Sequence, residues 1–321
     1  MRTQELSGFV ACLFLASACR GIPVNERQDL ELSAVASPLI DSSDRPAAPS
    51  RPFHPTEGGI IVIDSVALRP VVVAKGDSMR TGVVTTYQGG RYHPETIRAL
   101  ADDSIVLAAS ARSIIATSPG IGTRLMLDFQ EITPNDLPAL AALVRAIHAE
   151  ASARGTGRPL GIVVPPGDTV SYPTVVLARL AELIVVRLHG EHRAGTSPGP
   201  SATREFIARE IGIRSRAMGT SRLVAELPLF GYRGERDGAA RPITYLEARA
   251  LVVGEAGVFR RDPASRFLTA TGRDGWTVWV PDAASVEFMI AAVTQRGINR
   301  IVLAGTNGAD PGVRQYQTSL R

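Results

Sequence analysis

The sequence predicts an α/β protein closed as a (β/α)8 barrel, and three observations lead there. Short β-branched runs alternate with amphipathic stretches from Gly58 onward, the pattern of a parallel sheet covered by helices. About eight such runs are present, the number that closes a barrel. Setting aside an atypical first 57 residues of the 321 leaves about 265, close to the usual size of one such barrel.

The strands are read at Ile60–Ile63, Pro70–Ala74, Gly82–Thr86, Arg124–Phe129, Leu160–Val164, Leu183–Leu188, Leu223–Leu229 and Asn299–Leu303. Several are continuous apolar runs, as expected of strands buried on both faces. Between them, Asn135–Arg154 carries Leu137, Leu140, Leu143, Val144 and Ile147 on one stripe, behind a Pro134–Asn135 start. Ala283–Arg296 has the same character, with Asp282 as its N-cap. Only five residues separate Asp64 from Pro70. A parallel crossover needs about a dozen, so the first two runs form a hairpin or an irregular turn. The barrel is therefore expected to be abbreviated or irregular at its N-terminal strands.

The N-terminal region reads as an address. Gly8–Ala18 is an eleven-residue apolar run, too short to span a bilayer and suited to a signal-peptide core. It ends in Ala16-Ser17-Ala18 before Cys19. Residues 1–19 thus resemble a bacterial lipoprotein signal with Cys19 as the lipidated residue; the competing readings are ordinary secretion with cleavage after Ala18, and a buried helix. Residues 20–57 are rich in Pro, Ser, Ala and Asp and are expected to be a disordered linker. A membrane-tethered envelope protein follows from this reading, and a monomer is expected.

Composition narrows the chemistry. Both cysteines, Cys12 and Cys19, lie in the first twenty residues, which excludes a disulfide framework, a cysteine zinc site and a catalytic thiol in the body. Net charge is +4 and the pI about 9.4. The cations are 34 arginines and the single Lys75, spread along the chain without a basic run. That is a coding habit rather than a nucleic-acid surface, and no nucleic-acid partner is expected. His189, Glu191 and His192 have close spacing, but on a strand the two histidines face opposite ways, so no metal site is read.

Five segments, in order, resemble glycoside hydrolase family 18, in its chitinase-like and spore-cortex branch. They are Leu125–Ala151 around Leu-Asp-Phe-Gln-Glu, Ile184–Pro200, Glu226-Leu227-Pro228-Leu229-Phe230-Gly231-Tyr232, Trp276–Ala283 and Gly297–Pro311. The likeness spans about Gly82 to Pro311. It implies a barrel over residues 58–316, with a small α+β insertion at about 233–277 after the seventh strand. It implies no cofactor.

The resemblance also implies a substrate-assisted glycosidase reaction, in which the sugar's N-acetyl group attacks its own anomeric carbon. The protein then supplies a protonated Glu for the leaving oxygen and, two residues earlier, an Asp that orients the acetamide. Here the Asp is Asp128, but the acid position is Gln130, with Glu131 adjacent. Glu131 reaches the cleft only if the strand ends or bulges at Gln130. The acetamide-binding Tyr falls at His189, the Met before it at Arg187, the neighbouring Asp at Gly190, and the pocket-floor Trp at Ala304; Glu191 and His192 are retained. Candidate site residues are therefore Asp128, Gln130 and Glu131 for catalysis, with Tyr87, His189, Glu191, Tyr232 and Trp279 for substrate. The leading expectation is a degenerate barrel that binds an N-acetylated glycan, chitin-like or peptidoglycan, with weak or no hydrolysis. The alternatives are an active glycosidase using Glu131, and a scaffold lipoprotein. Exposed aromatics around the mouth would favour glycan binding, and buried ones the scaffold.

Overall fold

The computed structural model describes residues 31–35, 59–74, 81–117, 124–156, 159–192, 195–236 and 240–314. Eight parallel strands make the barrel wall: β1 (Glu31–Val35), β2 (Ile60–Ile63), β4 (Thr81–Thr85), β5 (Arg124–Asp128), β6 (Leu160–Val164), β7 (Leu183–Arg187), β8 (Leu223–Pro228) and β14 (Arg300–Ala304). A further strand, β3 (Pro70–Ala74), runs antiparallel to β2, the hairpin that the short connection demands. The hydrogen-bonded order is β1-β14-β8-β7-β6-β5-β4-β2-β3, and β1 also lies against β4, near the other end of that order.

The first strand corrects the sequence reading. Glu31–Val35 falls inside the segment read as a disordered linker, and it pairs in parallel register with β14, Glu31 opposite Arg300 and Val35 opposite Ala304. Five residues, with Leu32 and Val35 the only large apolar side chains among them, carry too little pattern to announce a strand. The ladder offered by β14 supplies what local sequence lacks. The barrel is therefore irregular at β2–β3 but not short of a strand. Residues 1–19, Cys19 included, lie outside the described residues.

Strand parity sorts the core. Val83, Met126, Val163, Val185, Val224 and Val302, one from each of six strands, meet in a buried cluster at the barrel axis. Their odd-numbered and even-numbered neighbours, such as Val84, Leu125, Leu127, Ile162, Ile184 and Ile301, turn outward into the larger core beneath the helices. Those helices are α1 (Glu95–Asp102), α2 (Ser104–Thr117), α3 (Leu137–Ala153), α4 (Thr174–Leu177), α5 (Arg204–Met218) and α7 (Ala283–Thr294). A 3-10 turn at Pro134–Asp136, with Thr133 and Asp136 in a capping box, leads into α3. Asp282 caps α7 through the Ser285 N–H, as read from sequence.

The insertion after β8 holds β9 (Phe230–Gly234), β10 (Arg241–Thr244), α6 (Tyr245–Gly254), β11 (Arg260–Arg261), β12 (Leu268–Thr271) and β13 (Thr277–Val280). Its antiparallel sheet has the order β10-β9-β13-β12-β11. At Gly231 on β9 an added Cβ would stand 1.7 Å from the Trp279 carbonyl oxygen of β13, so two backbones meet where only glycine fits. Gly231→Ala is expected to cost about 3 kcal/mol or more, the upper range for overpacking, because neither backbone can yield. Urea unfolding of the variant, followed by tryptophan emission, checks this.

Candidate active site at the barrel mouth

Moving two residues along the strands from the apolar axial cluster, the inward positions become Asp128 on β5, Arg187 on β7 and Glu226 on β8. Arg187 and Glu226 are register partners on neighbouring strands. The Arg187 guanidinium reaches Asp128 Oδ2 at 3.1 Å and Glu226 Oε1 at 2.8 Å. All three are buried. The His189 Nε2–H donates to the same Glu226 oxygen at 2.9 Å, and Tyr92 Oη–H donates to Asp128 Oδ2 at 2.9 Å.

Gln130 completes the group. Its amide donates to Asp128 Oδ1 at 2.7 Å and to the Val163 carbonyl at 3.3 Å. A carboxylate only accepts, so the nitrogen of the amide must face Asp128. Both Asp128 oxygens are consequently engaged, one by Gln130 and the other by Tyr92 and Arg187.

The loop that carries Gln130 is pinned from below. On α5, Arg214 is fully buried and donates to the carbonyls of Pro165, Asp168 and Tyr172 and to Thr174 Oγ1. On the same helix, Glu210 accepts the Gly167 N–H at 2.7 Å. The loop so fixed presents Tyr172, whose hydroxyl donates to the Phe129 carbonyl at 2.8 Å and accepts the Ile132 N–H at 3.4 Å. Tyr172 therefore grips the main chain on both sides of Gln130 and Glu131. Between those contacts Glu131 adopts φ 61°, a left-handed conformation unusual for a side chain with a Cβ.

Charge follows from this wiring. Burial pushes the Glu226 carboxyl up, but Arg187 and His189 outweigh it and hold it down at about 2. Burial likewise opposes the Arg187 charge, yet Asp128 and Glu226 keep it protonated well above its ordinary range. Burial lowers His189 despite the Glu226 carboxylate, so the ring is neutral with its proton on Nε2. Burial, then the Asp128 charge, raises the Tyr92 phenol.

The structure brings Asp128, Gln130 and His189 into one hydrogen-bonded group around Arg187 and Glu226 and separates the others. Glu131 is exposed: β5 ends at Asp128, and Glu131 stands beyond it in a left-handed turn. Glu191 is spent on the Thr203 N–H at the start of α5. His192 bonds the Ser197 carbonyl through Nδ1, so it does not converge with His189. Tyr232 and Trp276 are buried at 5% and 3% exposure, whereas Tyr87 and Trp279 are half-buried. Tyr87 lies edge-on to Tyr92, with ring centroids 5.0 Å apart.

Sequence reasoning missed three members. Tyr92 comes from a loop, where parity gives no signal. Phe230 packs edge-on to His189 at 5.2 Å and covers Gly305, where a Cβ would meet its ring at 2.8 Å. The position after Ala304 is thus roofed by a different aromatic. Glu226 had a signal: a lone acid in an apolar strand, opposite a lone arginine in the next.

No family model matches the chain, and no curated protein does. Solved structures do. The spore cortex-lytic enzyme SleL of Bacillus cereus superposes with a TM-score of 0.65 at 15% identity, over 75% of this chain and 59% of that one. A chitinase of Chromobacterium violaceum gives 0.64 at 16% identity, over 81% and 90%. The chain has a glycoside hydrolase family 18-like fold. A mutant class V chitinase of Nicotiana tobaccum, with Gln in place of a Glu and in complex with NAG4, gives 0.62 at 18% identity, over 77% and 81%. This chain spans 59% of the length of the B. cereus SleL structure.

Two outcomes follow from the polar group at this mouth. Arg187→Met, which leaves two buried carboxylates without their cation, is expected to cost about 3–5 kcal/mol in urea unfolding. Acid titration of stability is the second. Glu226 is lowered from 4.5 to about 2, so the unfolded chain takes up its proton first as pH falls. Its contribution is fully present above pH 4.5 and is lost as pH falls through about 2. His189, lowered from 6.5, adds a decline of the same sign that begins below pH 6.5. Glu226→Gln should flatten the lower limb of the measured curve and leave the upper one sloping.

Proposed function

We propose that this chain is a non-hydrolysing family 18-like barrel that binds an N-acetylglucosamine-type glycan at its mouth. The observation that carries the reading is Gln130. Both its amide hydrogens are donated, to Asp128 and to the Val163 carbonyl, so it offers a ligand only an acceptor. Substrate-assisted hydrolysis needs a protonated carboxyl in that place, and losing a general acid costs about 10²–10⁴ in rate. Asp128, held on both oxygens, is not free to orient an acetamide. Binding without cleavage is supported by the tobacco chitinase mutant, a neighbour in fold that carries a Glu-to-Gln change and is in complex with NAG4. Half-buried Tyr87, His189 and Trp279 would supply the contact surface.

A second reading, a scaffold with no glycan ligand, is favoured by the burial of Tyr232 and Trp276. In either case we propose that the chain is monomeric and held at the bacterial envelope. The Gly8–Ala18 apolar run before Cys19 supports lipid anchoring there, and Cys19→Ser should move the protein from the detergent phase to the aqueous phase on partition.

Incubation with N-acetylglucosamine oligomers and peptidoglycan is expected to release no new reducing ends, for the native chain and for Glu131→Gln alike. Turnover by the native chain that disappears in Glu131→Gln would overturn the non-hydrolytic reading. Calorimetric titration with the same oligomers is expected to show saturable binding, weakened about tenfold by Tyr87→Ala, the size of one lost sugar–aromatic contact. A flat titration selects the scaffold.

A further inference from the structure

On the flank of the barrel, away from the strand ends that form the mouth, the helical wall is incomplete. The helix after β5 has 17 residues and the helix after β7 has 15, but α4, after β6, has four. At 1.5 Å per residue, α3 runs about 25 Å and α4 only about 6 Å. Short α4 packs on α5. Between α3 and α4, where a full helix would lie, there is an open groove of about 630 Å³, a volume suited to a small ligand.

Its chemistry is two-sided. Ala141, Val176 and Leu180 line it with apolar surface, and Val176 is 43% exposed. Arg145 and His148 reach it from α3, and Arg179 and Arg222 from the turn after α4 and the start of β8. Three arginines face one glutamate, Glu182, so the arginines outnumber the acids by two. The far side is rigid: Arg222 donates to the carbonyls of Ala178, Ala181 and Glu182. His148 Nε2–H donates to the Leu180 carbonyl at 3.0 Å, and Glu182 accepts the Leu160 N–H at 2.8 Å. Arg145 and Arg179 are exposed, and among the described residues their side chains have no ion-pair or hydrogen-bond partner. Two uncommitted guanidiniums stand over an apolar floor that is held open by committed groups.

We propose that this groove is a binding site for an anionic amphiphile, a molecule with a phosphate or carboxylate head and a short aliphatic body. The head would bridge Arg145 and Arg179, whose planar forks suit such oxyanions, and the body would lie on Val176 and Leu180. The site is independent of the mouth and of its proposed ligand.

Dodecyl phosphate, titrated into the whole protein below its micelle concentration, tests it. Saturable one-to-one binding is expected, weakened about tenfold or more in Arg145→Ala/Arg179→Ala. Both residues are exposed and unpartnered, so the double variant should unfold at the native urea midpoint. Val176→Glu, which puts an acid on the apolar floor, should weaken binding similarly and serves as a separate check. Equal affinity for dodecyl maltoside would overturn the role of the arginines. Equal affinity for inorganic phosphate would overturn the role of the apolar floor. Binding unchanged in the double variant, or no binding, would overturn the site itself.

Discussion

A guanidinium removed from water must be neutralised where it stands, and in this barrel that requirement falls on Arg187. It sits inside the wall, bound to Glu226 on the neighbouring strand and to Asp128 two strands away, and each further polar group at the mouth answers to one of the three. Tyr92 and Gln130 complete Asp128, and His189 completes Glu226. With the ring neutral, two carboxylates against one guanidinium leave the buried group with one excess negative charge. Hydrogen bonds from Tyr92, Gln130 and His189 spread that charge over neutral donors, which is how a buried anion is tolerated. Gln130 suits this balance, because an ionised carboxylate in the place of its amide, 2.7 Å from Asp128, would add charge that the group has no cation to meet.

The same wiring separates reactivity from architecture. A glycosidase of the substrate-assisted kind keeps its orienting carboxylate available and its acid protonated. Here both oxygens of Asp128 are engaged and an amide, Gln130, stands two residues on, while the parallel strands and the insertion of the fold are in place. Polar residues that would face a substrate in such an enzyme instead face one another, and the cluster serves as an internal brace at the strand ends.

Much of this was legible in the sequence, for identifiable reasons. Parallel strands buried on both faces announce themselves as apolar runs, so Leu160–Val164 and Ile60–Ile63 agree with the structure to the residue. Helix caps such as Asp282 carry their own chemistry. Asp128 and Gln130 were readable because residues two apart on a strand share a face. Glu31–Val35 was not, since a five-residue strand is stabilised by its partner rather than by its own pattern. Arg187 reads in sequence only as a position where the resemblance expects a methionine, although its charge is what organises the mouth. Only the register of β7 against β8 shows that Glu226 stands beside it. Glu131 depended on a backbone angle that its neighbours Phe129 and Ile132 impose through Tyr172, and no local signal encodes that.

The pairing of β1 with β14 has a consequence for the order of assembly. These strands come from opposite ends of the described chain, so the barrel seam joins residues separated by nearly its whole length. Contacts of such sequence separation form late and slowly, because the entropy of closing the intervening loop is lost before the contact repays it. Every other barrel strand has a partner that lies nearer in sequence. The wall can therefore grow as an open, curling sheet from β4 through β8, with the seam as its last event. Until that closure the β14 edge is a row of unpaired peptide groups beside an apolar interior, which is the state in which such a chain is most exposed to misassembly.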